Sequence, residues 1–252
     1  MSGGLSGRVA LVTGGSRGVG RAIAQRLAAD GAAVAVNYRR DDAAARETVA
    51  AIEADGGRAV AFQAAIGDDQ AVAAMAEAVR SDLGDVDILV SNAGTASRGR
   101  SVADTEPGEY LRLMTVHALG PLALIRSLLP AMRTRPRADI IVVSSAITGH
   151  TPPFSAPYTM AKAALEAAAR TLAREERSHG IRVNVVAPGI TNTAMPRLGN
   201  TEESLAALGR ANPSGRLAEP DDIADVVVFL ATDAARYVVG QLIHVNGGDY
   251  HG

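Results

Sequence analysis

The chain has 252 residues, no cysteine, 25 Lys+Arg against 27 Asp+Glu for a formal net charge of −2, and only 3% aromatic residues. Disulfides, thiol catalysis and cysteine-ligated metals are excluded, and neither a basic face nor a set of stacking platforms is present for nucleic acid. No apolar run reaches the roughly 20 residues that span a bilayer, and Met1-Ser2-Gly3-Gly4-Leu5 shows no signal-peptide pattern, so a soluble cytoplasmic protein without membrane contact is expected.

Residues 8–13 form a short apolar run that reads as a strand and ends in Gly14-Gly15-Ser16-Arg17-Gly18-Val19-Gly20. A helical period over 21–29 is stopped by Asp30-Gly31, and 33–38 reads as a second buried strand. The alternation continues with a helix over 42–54, a strand at 59–63, a helix over 68–83 and a strand at 86–91. A long helix is predicted over 107–132, with Pro121 as a candidate kink. A strand at 139–144, a helix at 156–178, a strand at 181–186, a helix at 220–231 and a last strand at 241–245 follow. Strands alternating with helices imply parallel crossovers, so the expected fold is a single-domain α/β Rossmann-type doubly wound sheet of about seven strands with helices on both faces. The least regular stretch, 189–212, is too long for an idle connection and reads as a mobile lid over a site. His117, His150, His179, His244 and His251 show no metal-ligand spacing, and no metal is expected.

In the glycine turn, residues without Cβ let the backbone leave the strand tightly and approach a ligand, and the helix that follows offers its N–H groups and positive dipole end to a pyrophosphate. The second strand ends Asn37-Tyr38-Arg39-Arg40, with no acid before Asp41 to accept from a ribose 2′-hydroxyl, and Arg17 lies in the turn itself. Cations there suit a 2′-phosphate, so NADP(H) is the expected cofactor with Arg17 and Arg39 as clamps; the competing reading makes Arg39 and Arg40 a solvated corner.

Lys162 is the only lysine in the chain. A coding bias towards arginine explains the scarcity but not the position, and lysine differs from arginine in being a compact point charge with a movable pKa. Tyr158 lies four residues upstream, on the same helix face. A positive charge beside a phenol stabilises the phenolate, which brings the phenol towards the range for proton transfer.

Thr13-Gly14 with Gly18 and Gly20, Asn92-Ala93-Gly94 after the fourth strand, Ser145 thirteen residues before Tyr158, and Lys162 together resemble the short-chain dehydrogenase/reductase family. Asn184-Val185-Val186-Ala187-Pro188-Gly189, Gly215-Arg216 with Pro220-Asp221-Asp222, and Asn246-Gly247-Gly248 extend the resemblance over nearly the whole chain, most closely to ketoreductases related to 3-oxoacyl carrier-protein reductases and to polyketide ketoreductases. The resemblance implies that Tyr158 is the general acid towards a carbonyl oxygen, that Lys162 lowers the phenol pKa and binds the nicotinamide ribose, and that Ser145 holds the substrate oxygen. It also implies cofactor contacts from Gly14, Ser16, Gly18, Val19, Gly20, Asn37 and Tyr38, an adenosine-ribose wall and sheet support from Asn92, Ala93 and Gly94, and nicotinamide contacts from Pro188, Gly189, Ile190 and Thr193. A homotetramer or homodimer is implied as well.

Two departures stand out. His117 occupies the place where many relatives carry an Asn that holds a water of the proton relay, and it reads equally as a relay member or as a satisfied core polar group. Ala65 stands where the third strand usually ends in an adenine-contacting Asp, so Asp68 is expected to cap the next helix instead. Ile147, Phe154, Met195 and Leu198 are expected to line the substrate side, which favours a hydrophobic ketone of acyl-thioester or polyketide type. Arg133, Arg135 and Arg137 read either as a solvated loop or as a greeting surface for an acidic carrier protein. The expected activity is NADPH-dependent ketone reduction. An alcohol dehydrogenase working oxidatively on a steroid or polyol, and a non-catalytic NADP-binding regulator, are the other readings.

Overall fold

The computed structural model describes residues 4–250, so Met1, Ser2, Gly3 and His251 from the sequence reading lie outside the described residues. The apolar runs become strands because their Val, Ile, Leu and Ala side chains are covered on both faces, the condition under which a parallel sheet is stable. They are β1 (Val9–Val12), β2 (Ala33–Tyr38), β3 (Arg58–Gln63), β4 (Ile88–Ser91), β5 (Ala138–Val143), β6 (Ile181–Pro188) and β7 (Leu242–Val245). The seven strands lie in the order β3-β2-β1-β4-β5-β6-β7, and every neighbouring pair is parallel. The order reverses between β1 and β4, the point where open α/β sheets leave a crevice beyond their strand ends.

Helices α1 (Gly18–Ala29), α2 (Asp42–Ala54), α3 (Asp69–Asp82), α4 (Pro107–Met114), α5 (Gly120–Met132), α6 (Ile147–His150), α7 (Ala156–Glu176), α8 (Ala194–Arg197), α9 (Glu202–Ala211) and α10 (Pro220–Ala231) complete the fold. One face of the sheet buries Val72, Met75 and Val79 of α3, Leu124 and Leu128 of α5, and Leu165 and Ala169 of α7. The other buries Ile23 and Leu27 of α1, Ile52 of α2, and Ile223 and Val227 of α10. Asp68 caps α3 as expected, accepting from the backbone N–H groups of Gln70 and Ala71.

Two expectations change in detail. The run Pro107–Met132 is continuous, yet its irregularity is a π turn at Thr115–Leu119, just ahead of Pro121. A π turn inserts one residue into a helix and recurs at functional sites. Gly120 closes this one, where any Cβ would collide with the Ile66 carbonyl. The run is also apolar, with a mean hydropathy of 1.3 in its most apolar 18-residue window; it packs as a core helix through Leu113, Ala118, Leu124, Ile125, Leu128 and Met132. The stretch 189–212 is not irregular: it contains α8 and α9, the latter opened by Thr201, whose hydroxyl accepts from Ser204 N–H. Short polar helices with one buried leucine leave little apolar period for a sequence reading to find.

Candidate active site

The end of β1 and the start of α1 form the glycine turn. Gly14 and Gly18 have φ of 65° and 53°, left-handed values that favour glycine. At Gly20 a Cβ would collide with the Gly14 carbonyl and the Asn92 amide, so only glycine lets α1 close onto the strand end. Asn92 Nδ2 donates to Thr13 O at 2.9 Å, and Thr13 Oγ1 accepts from the backbone N–H groups of Asn92 and Ala93 at 2.9 and 3.0 Å. Asn92 and Ala93 thus hold the turn to β4, the sheet-supporting half of their expected role. Thr13 stands in the motif quoted from the sequence, where no role was assigned to it.

Asn37 and Tyr38 are placed differently from expectation. Asn37 is buried; its Oδ1 accepts from Gly14 N at 3.2 Å and its Nδ2 donates to the Phe62 and Ala64 carbonyls, so it supports the turn from beneath. The Tyr38 hydroxyl donates to Asp42 at 2.8 Å, and Asp42 also pairs with Arg46. Asp41 caps α2. With both nearby acids committed, Arg17, Arg39 and Arg40 are exposed and have no ion pair among the described residues. Cations left free beside a glycine cradle fit a dinucleotide that carries an additional phosphate.

Across the crevice, β6 ends in Pro188, and Gly189 donates its N–H to Val245 O at 3.0 Å. Ile190 is exposed. A Cβ on Gly18 would stand 3.3 Å from Thr193 Cγ2, so the loop after β6 meets the glycine turn at this pair and Thr193 faces the cradle. Ser16 is buried and presents its carbonyl to Arg21 and Thr48, while Val19 is partly buried at the start of α1.

Ser145 follows β5, and Tyr158 and Lys162 lie one turn apart on α7. The Ser145 side chain neighbours the Tyr158 hydroxyl and favours its ionised form, and its Oγ accepts from Ile147 N at 3.2 Å. Lys162 is buried, and its Nζ donates to the Val143 carbonyl at 2.7 Å while standing 5.8 Å from the centre of the Tyr158 ring. Burial pushes the Tyr158 phenol up to about 12. Desolvation of the phenolate thus moves the phenol opposite to the lowering expected from Lys162, and Ser145 is the group that acts against it. Burial brings the Lys162 ammonium down to about 8, and the Glu166 carboxylate acts against this.

Glu166 is a residue missed by the sequence reading. It is buried, one turn beyond Lys162, and its Oε1 accepts from Ser144 Oγ at 2.5 Å with Thr148 Oγ1 at 3.0 Å. Its spacing from Lys162 was visible, but a glutamate on a long helix reads by default as solvated.

His117 sits in the π turn, buried, with its ring edge-on to Tyr158 at 4.9 Å between centres. Its Nε2 lies 2.9 Å from Thr95 O and 3.1 Å from Thr95 N, and its Nδ1 has no hydrogen-bond partner among the described residues. A Cβ on Gly94 would lie 2.7 Å from the imidazole, so Gly94 makes room for this ring. Burial, and then the Lys162 charge, hold His117 at about 3, so it is neutral throughout the working range.

On the substrate side Ile147 is partly buried, whereas Phe154, Met195 and Leu198 are exposed at 59%, 40% and 78%. Phe154 and Thr151 both adopt left-handed φ, 64° and 43°, an unusual cost for non-glycine residues that concentrates on the segment bordering the site. The basic loop is not a free cationic surface: Arg133 pairs with Glu176, Arg135 with Asp87, and Arg137 with Asp139 and Asp233.

Comparison with known proteins adds to this geometry. The family profile described as Enoyl-(Acyl carrier protein) reductase matches residues 14–250. The chain is 35% identical to the 3-oxoacyl-[acyl-carrier-protein] reductase FabG of Haemophilus influenzae over 246 residues, 98% of this chain and 99% of that one. It superimposes on the angucycline C-6 ketoreductase LanV with bound NADP at a TM-score of 0.92 and 39% identity, covering 99% and 98% of the two chains. It also superimposes on a 7 alpha-hydroxysteroid dehydrogenase complexed with NADH and 7-oxo glycochenodeoxycholic acid, at a TM-score of 0.92 and 32% identity over 97% and 94%.

Proposed function

The chain belongs to the short-chain dehydrogenase/reductase family, and from that premise we propose that it is an NADPH-dependent ketoreductase that converts a hydrophobic ketone to an alcohol. The observation that carries the reading is the meeting of Ser145, Tyr158 and Lys162 at the strand ends that also bear the glycine cradle. Arg17 and Arg39 would hold the 2′-phosphate, the glycine turn and the first turn of α1 the pyrophosphate, and Gly189, Ile190 and Thr193 the nicotinamide end. A bound nicotinamide supplies the hydride.

The remaining chemistry belongs to the side chains. Ser145 holds the ketone oxygen beside the Tyr158 hydroxyl, and Tyr158 delivers its proton to that oxygen as the carbonyl carbon is reduced. A phenol held at about 12 is fully protonated at neutral pH, the form that reduction needs and alcohol oxidation does not. The Lys162 ammonium stabilises the phenolate left behind. His117 takes a narrower part than a proton relay: a neutral ring tied to Thr95 that packs against Tyr158 and holds it.

The apolar rim of Ile147, Phe154, Met195 and Leu198 supports a hydrophobic ketone of polyketide or acyl type. Because Arg133, Arg135 and Arg137 are all paired, we favour a free ketone over a carrier-bound one. The hydroxysteroid dehydrogenase likeness supports the second reading, oxidation of a steroid alcohol. We further read the protein as a cytoplasmic homodimer or homotetramer paired through the Pro107–Met132 helix, where Leu111 and Leu119 are exposed at 68% and 57%; light scattering in solution tests this, and a monomer contradicts it. The function is tested by following NADPH consumption with β-ketoacyl thioesters, cyclic and polycyclic ketones, quinones and ketosteroids. Turnover of apolar ketones supports the reading; tight NADPH binding with no ketone turned over contradicts it and favours a non-catalytic regulator.

A further inference from the structure

A buried carboxylate on a catalytic helix costs folding free energy unless it is hydrogen-bonded and faces a cation. Glu166 meets both conditions with groups that belong to the site. Its Oε1 gathers Ser144 Oγ at 2.5 Å and Thr148 Oγ1 at 3.0 Å, the two residues that flank the Ser145 turn. Thr148 also reaches the Ser145 carbonyl, with its Oγ1 at 3.0 Å and its N–H at 3.3 Å. The turn is therefore gripped on both sides of Ser145 by one oxygen of α7. The same helix carries Tyr158 and Lys162, so the grip sets the distance between Ser145 and its phenol partner.

We propose that Glu166 is a positioning residue of the reaction, whose carboxylate fixes the turn bearing Ser145 and supplies the negative charge that buried Lys162 faces one helical turn away. This rests on the proposed ketone reduction for its catalytic meaning, but its physical content does not. Lys162 meets Tyr158 and Glu166 from its own helix and His117 from the π turn, and β5 offers it only the Val143 carbonyl. Among the described residues Glu166 is the anion that acts on Lys162, in agreement with the upward push it exerts there.

The sequence provides the probe. As Lys162 is the only lysine, protein grown on lysine labelled with carbon-13 at Cε gives one lysine signal, whose pH titration reports Lys162 alone. In Glu166→Gln the amide keeps the shape and can still accept through its oxygen, but the charge is gone. The expected result is a Lys162 midpoint lower by on the order of one pH unit, together with a reduction rate that falls at correspondingly lower pH. Thr148→Val, which removes one hydroxyl and keeps the charge, leaves the midpoint in place and lowers turnover about tenfold. An unmoved midpoint and unmoved pH profile in folded Glu166→Gln overturn the proposal and leave Glu166 a packing residue. Should that variant fail to fold, Glu166→Asp carries the test: withdrawing the charge by one methylene lowers turnover, and unchanged turnover contradicts the proposal. If the wild-type protein binds no NADPH, the functional reading fails, yet the titration still decides the role of Glu166.

Discussion

Lys162 gives its hydrogen bond to the Val143 carbonyl, 2.7 Å away, so α7 is tied to the end of β5 through the only lysine in the chain. The slot is buried and suits a single ammonium. A guanidinium is planar and forked, and would need several acceptors there. Lys162→Arg is therefore expected to lower the melting temperature, because the buried guanidinium lacks acceptors, and the variant that remains folded by circular dichroism is expected to lose ketone reduction by about a hundredfold or more. Retained turnover would show that any cation suffices.

The two shifted groups set the pH dependence. Lys162 is charged below about 8 and Tyr158 protonated below about 12. Reduction needs both proton-bearing forms, so its kcat is expected to hold steady up to about pH 8 and then fall as Lys162 loses its proton. Oxidation of the product alcohol needs the phenolate, so the ratio of reduction to oxidation in kcat/KM should decrease as pH rises. A reduction rate that climbs through pH 8 contradicts this assignment.

The proposed preference for NADPH rests on arginines that have no ion pair among the described residues. Replacing Arg17 and Arg39 by Ala removes two cations from the proposed 2′-phosphate position and should weaken NADPH binding by about a hundredfold while changing NADH binding little. Calorimetry on both cofactors measures it. Equal losses for the two cofactors would assign the arginines to the pyrophosphate, and no loss would make them a solvated corner.

His117 is neutral and pinned to Thr95, so its contribution is expected to be geometric. His117→Ala should lower turnover about tenfold by loosening Tyr158, with the pH profile of reduction unmoved. A displaced basic limb would instead place the imidazole in a proton relay.

Much of the fold was legible because its signals are physical requirements: strands covered on both faces must be continuously apolar, and helices facing one layer must show a period near 3.6. Tyr158 and Lys162 were legible as a pair because a separation of four residues puts them on one helix face, and Ser145 was legible through the ordered set of motifs that carries the family resemblance. The partners of Asn37 and Tyr38 were not legible, because a strand-end polar residue serves equally well under a turn or above it; Asn37 accepts from Gly14 and Tyr38 donates to Asp42. The π turn was read as a proline kink, since one inserted residue leaves the apolar pattern almost unchanged. Glu166 escaped because burial of a glutamate is not written in its neighbours. The direction of the Tyr158 shift escaped for the same reason, as it is set by desolvation.

The central claim is that Tyr158 supplies the proton and the cradle holds NADPH independently of it. Tyr158→Phe removes one oxygen and leaves the ring that packs against His117. The decisive measurement is NADPH consumption with a ketone that the wild-type protein reduces, made on this variant beside a calorimetric NADPH titration. The account predicts that reduction is abolished while NADPH binds with unchanged affinity; persistent reduction by Tyr158→Phe would contradict it.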